Sequence, residues 1–136
     1  MTDFARLMSD YFVKYLAGQK GSGSNTMKTY RDTFVQLLEF MDEKKHIRAD
    51  CIEVDSFSYD IINEFLEYLE KEKRVSISTR NNRLAAIRSF FKYTGYHEPK
   101  YLNISTSIRE ISKKKTEGRQ MNYLSVKCNG TFSEQF

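Results

Sequence analysis

The chain has one proline, Pro99, in 136 residues. A proline removes a helix hydrogen bond and clashes with the turn before it, so its near absence leaves long helices open almost everywhere. The apolar residues follow a helical period. In "DFARLMSDYFVKYLAG", Phe4, Leu7, Met8, Phe12, Tyr15 and Leu16 recur at three- and four-residue steps, and Gly18 is placed to end the helix. In "SNTMKTYRDTFVQLLEFMDEKK" the stripe is Met27, Tyr30, Phe34, Leu37, Leu38 and Met41, with Ser24 or Asn25 as the cap. A third helix from about Ser58 turns Ile61, Ile62, Phe65, Leu66 and Leu69 inward. A fourth, capped by Ser78 and ended by Gly95, does the same with Leu84, Ile87, Phe90 and Phe91.

The intervening stretches lack this period. "GQKGSGSN" reads as a flexible loop. In "HIRADCIEVDSF" Ile52 and Val54 alternate briefly, but a single short strand has nothing to pair with, so an extended loop is expected. After Pro99, "YLNISTSIREIS" fits one more short helix. "KKKTEGRQMNYLS" then has the composition of a linker, and Cys128 to Phe136 is expected to be poorly ordered. The expected architecture is all-α: a compact four-helix bundle with a short extra helix and a C-terminal linker tail. The expected division is a helical domain over 1–97 and a linker region over 98–136.

Hydrophobic residues make up 40% of the chain and aromatics 14%, enough to build a core without disulfide or metal support. Cys51 and Cys128 are far apart, in no CxxC pair and without a nearby histidine, the pattern of reduced thiols in an intracellular protein. No signal peptide and no membrane-length apolar run is seen, which gives the expectation of a cytoplasmic protein with no membrane partner. His46 and His97 are single residues outside any metal-binding spacing. No GxSxG, Walker loop or GxGxxG is present. No catalytic site, metal, cofactor or small-molecule substrate is therefore expected.

The charge pattern is more informative than the net charge of +4. "SYDIINEFLEYLEKE", Ser58 to Glu72, has five carboxylates and one lysine. The following "STRNNRLAAIRSFFKYTG" has four cations and no acid, and none occurs from Val75 to His97. At roughly 100° per residue, Asn81, Ala85, Arg88 and Lys92 share a strip beside the packing face of Leu84, Ile87 and Phe91. Asn82 and Ser89 lie just beyond it. Arg80 and Arg83 stand nearer the apolar border, where long side chains snorkel.

An ordinary solvated helix mixes signs to gain i,i+4 pairs; this one does not. Arginine and asparagine suit base edges, serine, threonine and lysine suit phosphates, and alanine permits close backbone approach. Ser78 and Thr79 add the donors of a helix N-terminus. The acidic third helix reads as the rear of the domain, turned away from a polyanion. Asn25, Thr26, Lys28, Thr29 and Arg31 form a smaller basic and polar set on the second helix. Taken alone, this set is routine capping and solvation. Lys113, Lys114, Lys115 and Arg119 form a third group, able to follow a phosphate backbone.

"SNTMKTYRDTFVQLLEFM", "DIINEFLEYLEKE" and "STRNNRLAAIRSFFKYTG", in that order, resemble the N-terminal core-binding domain of tyrosine recombinases, the phage-integrase group. "MNYLS", Met121 to Ser125, is similar to the opening of that family's catalytic domain. The resemblance runs from about Phe4 to Lys127. It implies a SAM-like helical bundle forming half of a clamp around duplex DNA, with other recombinase protomers as partners on that DNA.

The family's second and fourth helices face DNA. The resemblance therefore implies an interface at Asn25, Lys28, Thr29 and Arg31, and at Thr79, Arg80, Asn81, Arg83, Arg88 and Lys92. Ser78, Asn82, Lys113, Lys114 and Lys115 join the candidate DNA-binding set from the helix and charge pattern above. Its catalytic tyrosine, arginines and histidine or lysine partners belong to a C-terminal domain, and this sequence stops where that domain would begin. A truncated form without enzymatic activity of its own is therefore expected. Three other expectations remain open: a helical protein–protein module, a strand-transfer subunit whose catalytic part lies elsewhere, and a short form that competes with the full recombinase at its sites.

Overall fold

The computed structural model describes residues 2–14 and 24–115. Five α-helices are present among them: α1 (Asp3–Asp10), α2 (Ser24–Lys45), α3 (Tyr59–Lys71), α4 (Ile77–His97) and α5 (Leu102–Arg109). Short 3-10 turns occupy Ala49–Cys51, Val54–Ser56 and Pro99–Tyr101. No strand occurs among the described residues, so the all-α architecture is as the periodicity predicts. The tip of the first predicted helix (Tyr15, Leu16 and Gly18), the glycine-rich loop, the side chain of Asn25, Arg119, "MNYLS" and Cys128 to Phe136 lie outside the described residues.

The helix starts follow from hydroxyl caps. Thr2 accepts from the Ala5 N–H and Ser58 from the Ile61 N–H, each closing one of the donors a helix leaves open. Two helix ends turn without glycine. His46 and Arg74 both take left-handed backbone, with φ of 59° and 57°. The next amide of each bonds back across the turn, Ile47 to Met41 and Val75 to Leu69. His46 is thereby an exposed turn residue.

α4 is the central element, packed against α2, α3 and α5. Phe90 is the hub of the core, with ring centroids 5.6 Å from Phe4, 5.5 Å from Tyr11, 5.3 Å from Phe34 and 5.2 Å from Phe91. The 46–57 segment is the loop expected of it. Its Ile52, Val54 and Phe57 are nonetheless buried, with the Phe57 ring tilted against Phe4 and edge-on to Phe91.

Two packing details depart from the sequence pattern. Tyr11, outside the predicted stripe of the first helix, is fully buried. A π-type turn over 11–14 shifts the helical register there, and the Tyr11 hydroxyl lies 2.7 Å from Ser89 Oγ. The packed body also extends past residue 97. α5 lies along the end of α4, and Ile108 and Ile111 complete the core. The approach is close because Gly95 has no side chain: a Cβ there would sit 2.7 Å from both Cβ and Oγ of Ser105. Among the described residues no helix is long and apolar enough to cross a membrane.

Candidate nucleic-acid interface

α4 opens at Ser76, not at Ser78. The Ser76 backbone is extended and its hydroxyl accepts from the Thr79 N–H at 3.1 Å while donating to Thr79 Oγ1 at 3.1 Å. A cap must stand just outside the helix. The turn at Arg74 gives that position to Ser76, leaving Ser78 exposed inside the first turn.

Ser78, Asn82, Ala85 and Lys92 are exposed along α4, and Asn81, Arg88 and Ser89 are half-buried beside them. Arg88 and Lys92 make no ion pair among the described residues, and neither do Arg31, Lys113 and Lys115. Elsewhere many cations are already matched. Lys44 pairs with Glu72, Lys45 with Glu64, Arg48 with Asp50, Arg6 with Glu98 and Lys100 with Asp3. Unpaired surface cations are the ones whose counter-ions a polyanion can displace.

The acidic helix is not simply a repelled rear. Glu64 of α3 and Glu72 just past its end pair with lysines at the end of α2, and Glu70 reaches toward α4 and the segment after α5. Glu64 and Glu72 pair at the surface, whereas Glu70 is half-buried beside Arg80.

Arg80 and Arg83 also depart from expectation. Arg80 is 5% exposed. Its Nε lies 3.5 Å from Glu70 Oε2, at ion-pair distance but without hydrogen-bond geometry. Its Nη1 donates to Asn81 Oδ1 at 3.0 Å and to the Ser112 carbonyl at 3.3 Å. A carboxylate and two oxygen acceptors hold it more firmly than snorkelling to solvent would, so Arg80 is buried inside the fold and not presented along the strip. Arg83 is half-buried; its Nη1 donates to the Thr29 carbonyl and Thr33 Oγ1 of α2, at 3.3 and 3.4 Å. It fastens the front of α4 to α2. On α2, Lys28 stands 3.5 Å from Asp32, Thr29 is half-buried and Arg31 is exposed.

The segment after α5 joins this surface. Asn81 Nδ2 donates to the Lys114 carbonyl at 2.8 Å, and the Lys114 N–H donates to Asn81 Oδ1 at 3.0 Å. Lys114 Nζ then reaches both oxygens of Glu70, at 2.9 and 3.2 Å. Ser78, Asn82, Ala85 and the three lysines line one open cleft of about 520 Å³. Sequence reasoning brought these lysines and α4 to one list but not to one place. Glu70 and Ser112, which hold them, carry no local signal for that role. Among the described residues no group of three or more His, Cys, Asp or Glu side chains could hold a metal ion.

Residues 10–100 match the family model described as "Phage integrase, N-terminal SAM-like domain". Two proteins of Sinorhizobium fredii, named "Putative integrase/recombinase y4rC" and "Putative integrase/recombinase y4rD", are 30% and 32% identical over 88% and 82% of this chain. The chain spans 36% and 40% of the length of these curated relatives. Tyrosine recombinase XerC of Herpetosiphon aurantiacus is 36% identical over 62% of this chain and 26% of its own. No solved structure gives a significant match. With two thirds of its length matched and an all-helical bundle to match it, this chain belongs to the phage integrase N-terminal SAM-like domain family.

Proposed function

We propose that this domain binds double-stranded DNA through the exposed strip of α4 and the lysines beside it, as the DNA-holding part of a site-specific tyrosine recombinase acting in recombination or integration. The observation that carries the reading is the acid-free exposed strip, along which Arg88, Lys92, Lys113 and Lys115 have no ion-pair partner among the described residues. Arg31 and Lys28 on α2 extend it. Arg83 braces the two helices together and Arg80 stays inside. Nothing in this set does covalent chemistry: these groups hold and orient a polyanion, and strand cleavage belongs to other parts of a full recombinase.

Binding of this kind is dominated by phosphate contacts, so it weakens steeply with salt. Four neutralised phosphates give a slope of about −3.6 in log K against log salt, with dissociation constants on the order of 10⁻⁴ to 10⁻⁶ M at physiological salt. Fluorescence anisotropy on a labelled duplex across a salt series measures both. Arg88→Glu/Lys92→Glu is expected to leave folding intact and cut the slope by about 1.8. Absence of binding by the unaltered chain even at low salt overturns the reading.

A second reading, a protein-contact face used by neighbouring recombinase protomers, has its own observation. A groove of about 760 Å³ runs between the end of α4 and α5, with Tyr96 83% and Leu102 51% exposed at its edge. Tyr96→Ser/Leu102→Ser separates the two readings, because it removes the apolar edge and none of the cations.

A further inference from the structure

Lys114 has no strand to pair with, yet both of its backbone groups are satisfied by one side chain. The Asn81 amide offers a donor and an acceptor side by side, and it takes the Lys114 carbonyl and N–H as a neighbouring strand would. Asn81 Oδ1 also accepts from buried Arg80, Arg80 faces Glu70, and Glu70 receives the Lys114 ammonium. The contacts close into a ring, Glu70–Arg80–Asn81–Lys114, and Arg80 adds a further bond to the Ser112 carbonyl. The ring draws three different parts of the chain, α3, α4 and the segment after α5, onto one point.

In this arrangement Lys114 is committed to the protein. Lys113 and Lys115 flank it, exposed and without ion-pair partners among the described residues, on the wall of the cleft with Ser78, Asn82 and Ala85. Two cations that would otherwise sample many positions are thus set beside the basic strip.

We propose that Asn81 is a positioning residue: it acts by strapping residues 112–115 to α4, so that Lys113 and Lys115 extend the phosphate track, and not by reading a base. The inference rests on the DNA-binding reading above and assigns Asn81 a role within it. A side chain whose donor and acceptor are both engaged by backbone has little left with which to specify a base edge.

The test is a double-mutant cycle on the full chain, with salt slopes for duplex binding measured for Asn81→Ala, Lys113→Ala/Lys115→Ala and their combination. Loss of two phosphate contacts flattens the slope by about 1.8. Asn81→Ala is expected to lose a large part of that amount while melting as a folded domain, and to add nothing in the background lacking both lysines. Amide exchange reports the strap directly: the Lys114 N–H is expected to be protected in the unaltered chain and to lose protection in Asn81→Ala.

Additive effects, an unchanged slope in Asn81→Ala, or an unprotected Lys114 amide in the unaltered chain overturns the proposal and leaves the DNA-binding reading standing. An unaltered chain that binds no duplex overturns both.

Discussion

The two halves of α4 show what one helix can be asked to do. From Phe90 to Gly95 only Lys92 is exposed, and the packing comes from α1, α2 and α5 at once. From Ser78 to Ser89 one side stays open, and several of its polar groups are tied by hydrogen bonds instead of apolar contact. The rear half is held by apolar packing on nearly every side, while the front half buries Leu84, Ala86 and Ile87 on one side and adds directional bonds. Apolar burial tolerates no added atoms, while a bonded polar surface can be altered one group at a time. A helix anchored at one end in this way presents its other end rigidly without burying it.

The sharpest way to break this contrast is Phe90→Ala. Removing a fully buried ring costs about 3–5 kcal/mol, a large part of the roughly 5–15 kcal/mol that holds a domain together. Urea unfolding should show the loss, whereas Arg88→Glu/Lys92→Glu should stay within about 0.5 kcal/mol of the unaltered chain. Equal losses would dissolve the distinction between the halves.

Gly95→Ala probes the same rear half more finely. Helix propensity alone favours alanine by about 1 kcal/mol. The added Cβ would meet Ser105, whose Oγ donates to the Phe91 carbonyl at 2.6 Å and has no easy retreat. Overpacking costs about 1–3 kcal/mol, so a net destabilisation of about 1 kcal/mol is expected. The test is coupling: Gly95→Ala/Ser105→Gly should be less damaged than the two single losses added together.

The smallest effect lies outside α4, where α1 meets the turn before α5. Asp3 receives hydrogen bonds from Lys100 and from the Tyr101 hydroxyl, which hold its carboxyl below the ordinary 3.8. Because the folded value is the lower one, the contribution is complete above the unfolded value and is lost as pH falls through the folded one. Asp3→Asn should therefore lower stability by a small, constant amount above about pH 4, and the two chains should converge as pH falls below it. A change centred near neutrality would contradict this account.

Much of the fold was legible because helices declare themselves locally. The stripes of α2 and α3 and the start of α3 near Ser58 depend on residues within a few positions of each other. What escaped depends on distance. Arg80 sits at the apolar border of a helical projection, but only the fold shows Glu70 and Ser112 waiting for it. The acidic helix looked like a rear because its partners Lys44, Lys45 and Lys114 lie far away in the chain. The sequence pattern put the cap at Ser78, and only the fold, with its turn at Arg74, shows Ser76 in that place. Tyr11, four residues after Leu7 and seven after Phe4, shares their buried face and was legible from the same period, though the predicted stripe left it out. Of the candidate site, the strip on α4 was visible from geometry, whereas the strap that brings Lys113 and Lys115 beside it was not.

The ring around Lys114 also has a mechanical consequence. A chain leaving a domain through a slack tail passes on no direction, and tension on it is absorbed as the slack straightens. Here the departing backbone is gripped at Ser112 and Lys114 by side chains of α4. A pull beyond Lys115 loads those bonds first and is passed directly to α4. The domain therefore has a defined lever arm, and the heading of α4 is coupled to whatever tugs on the chain that follows.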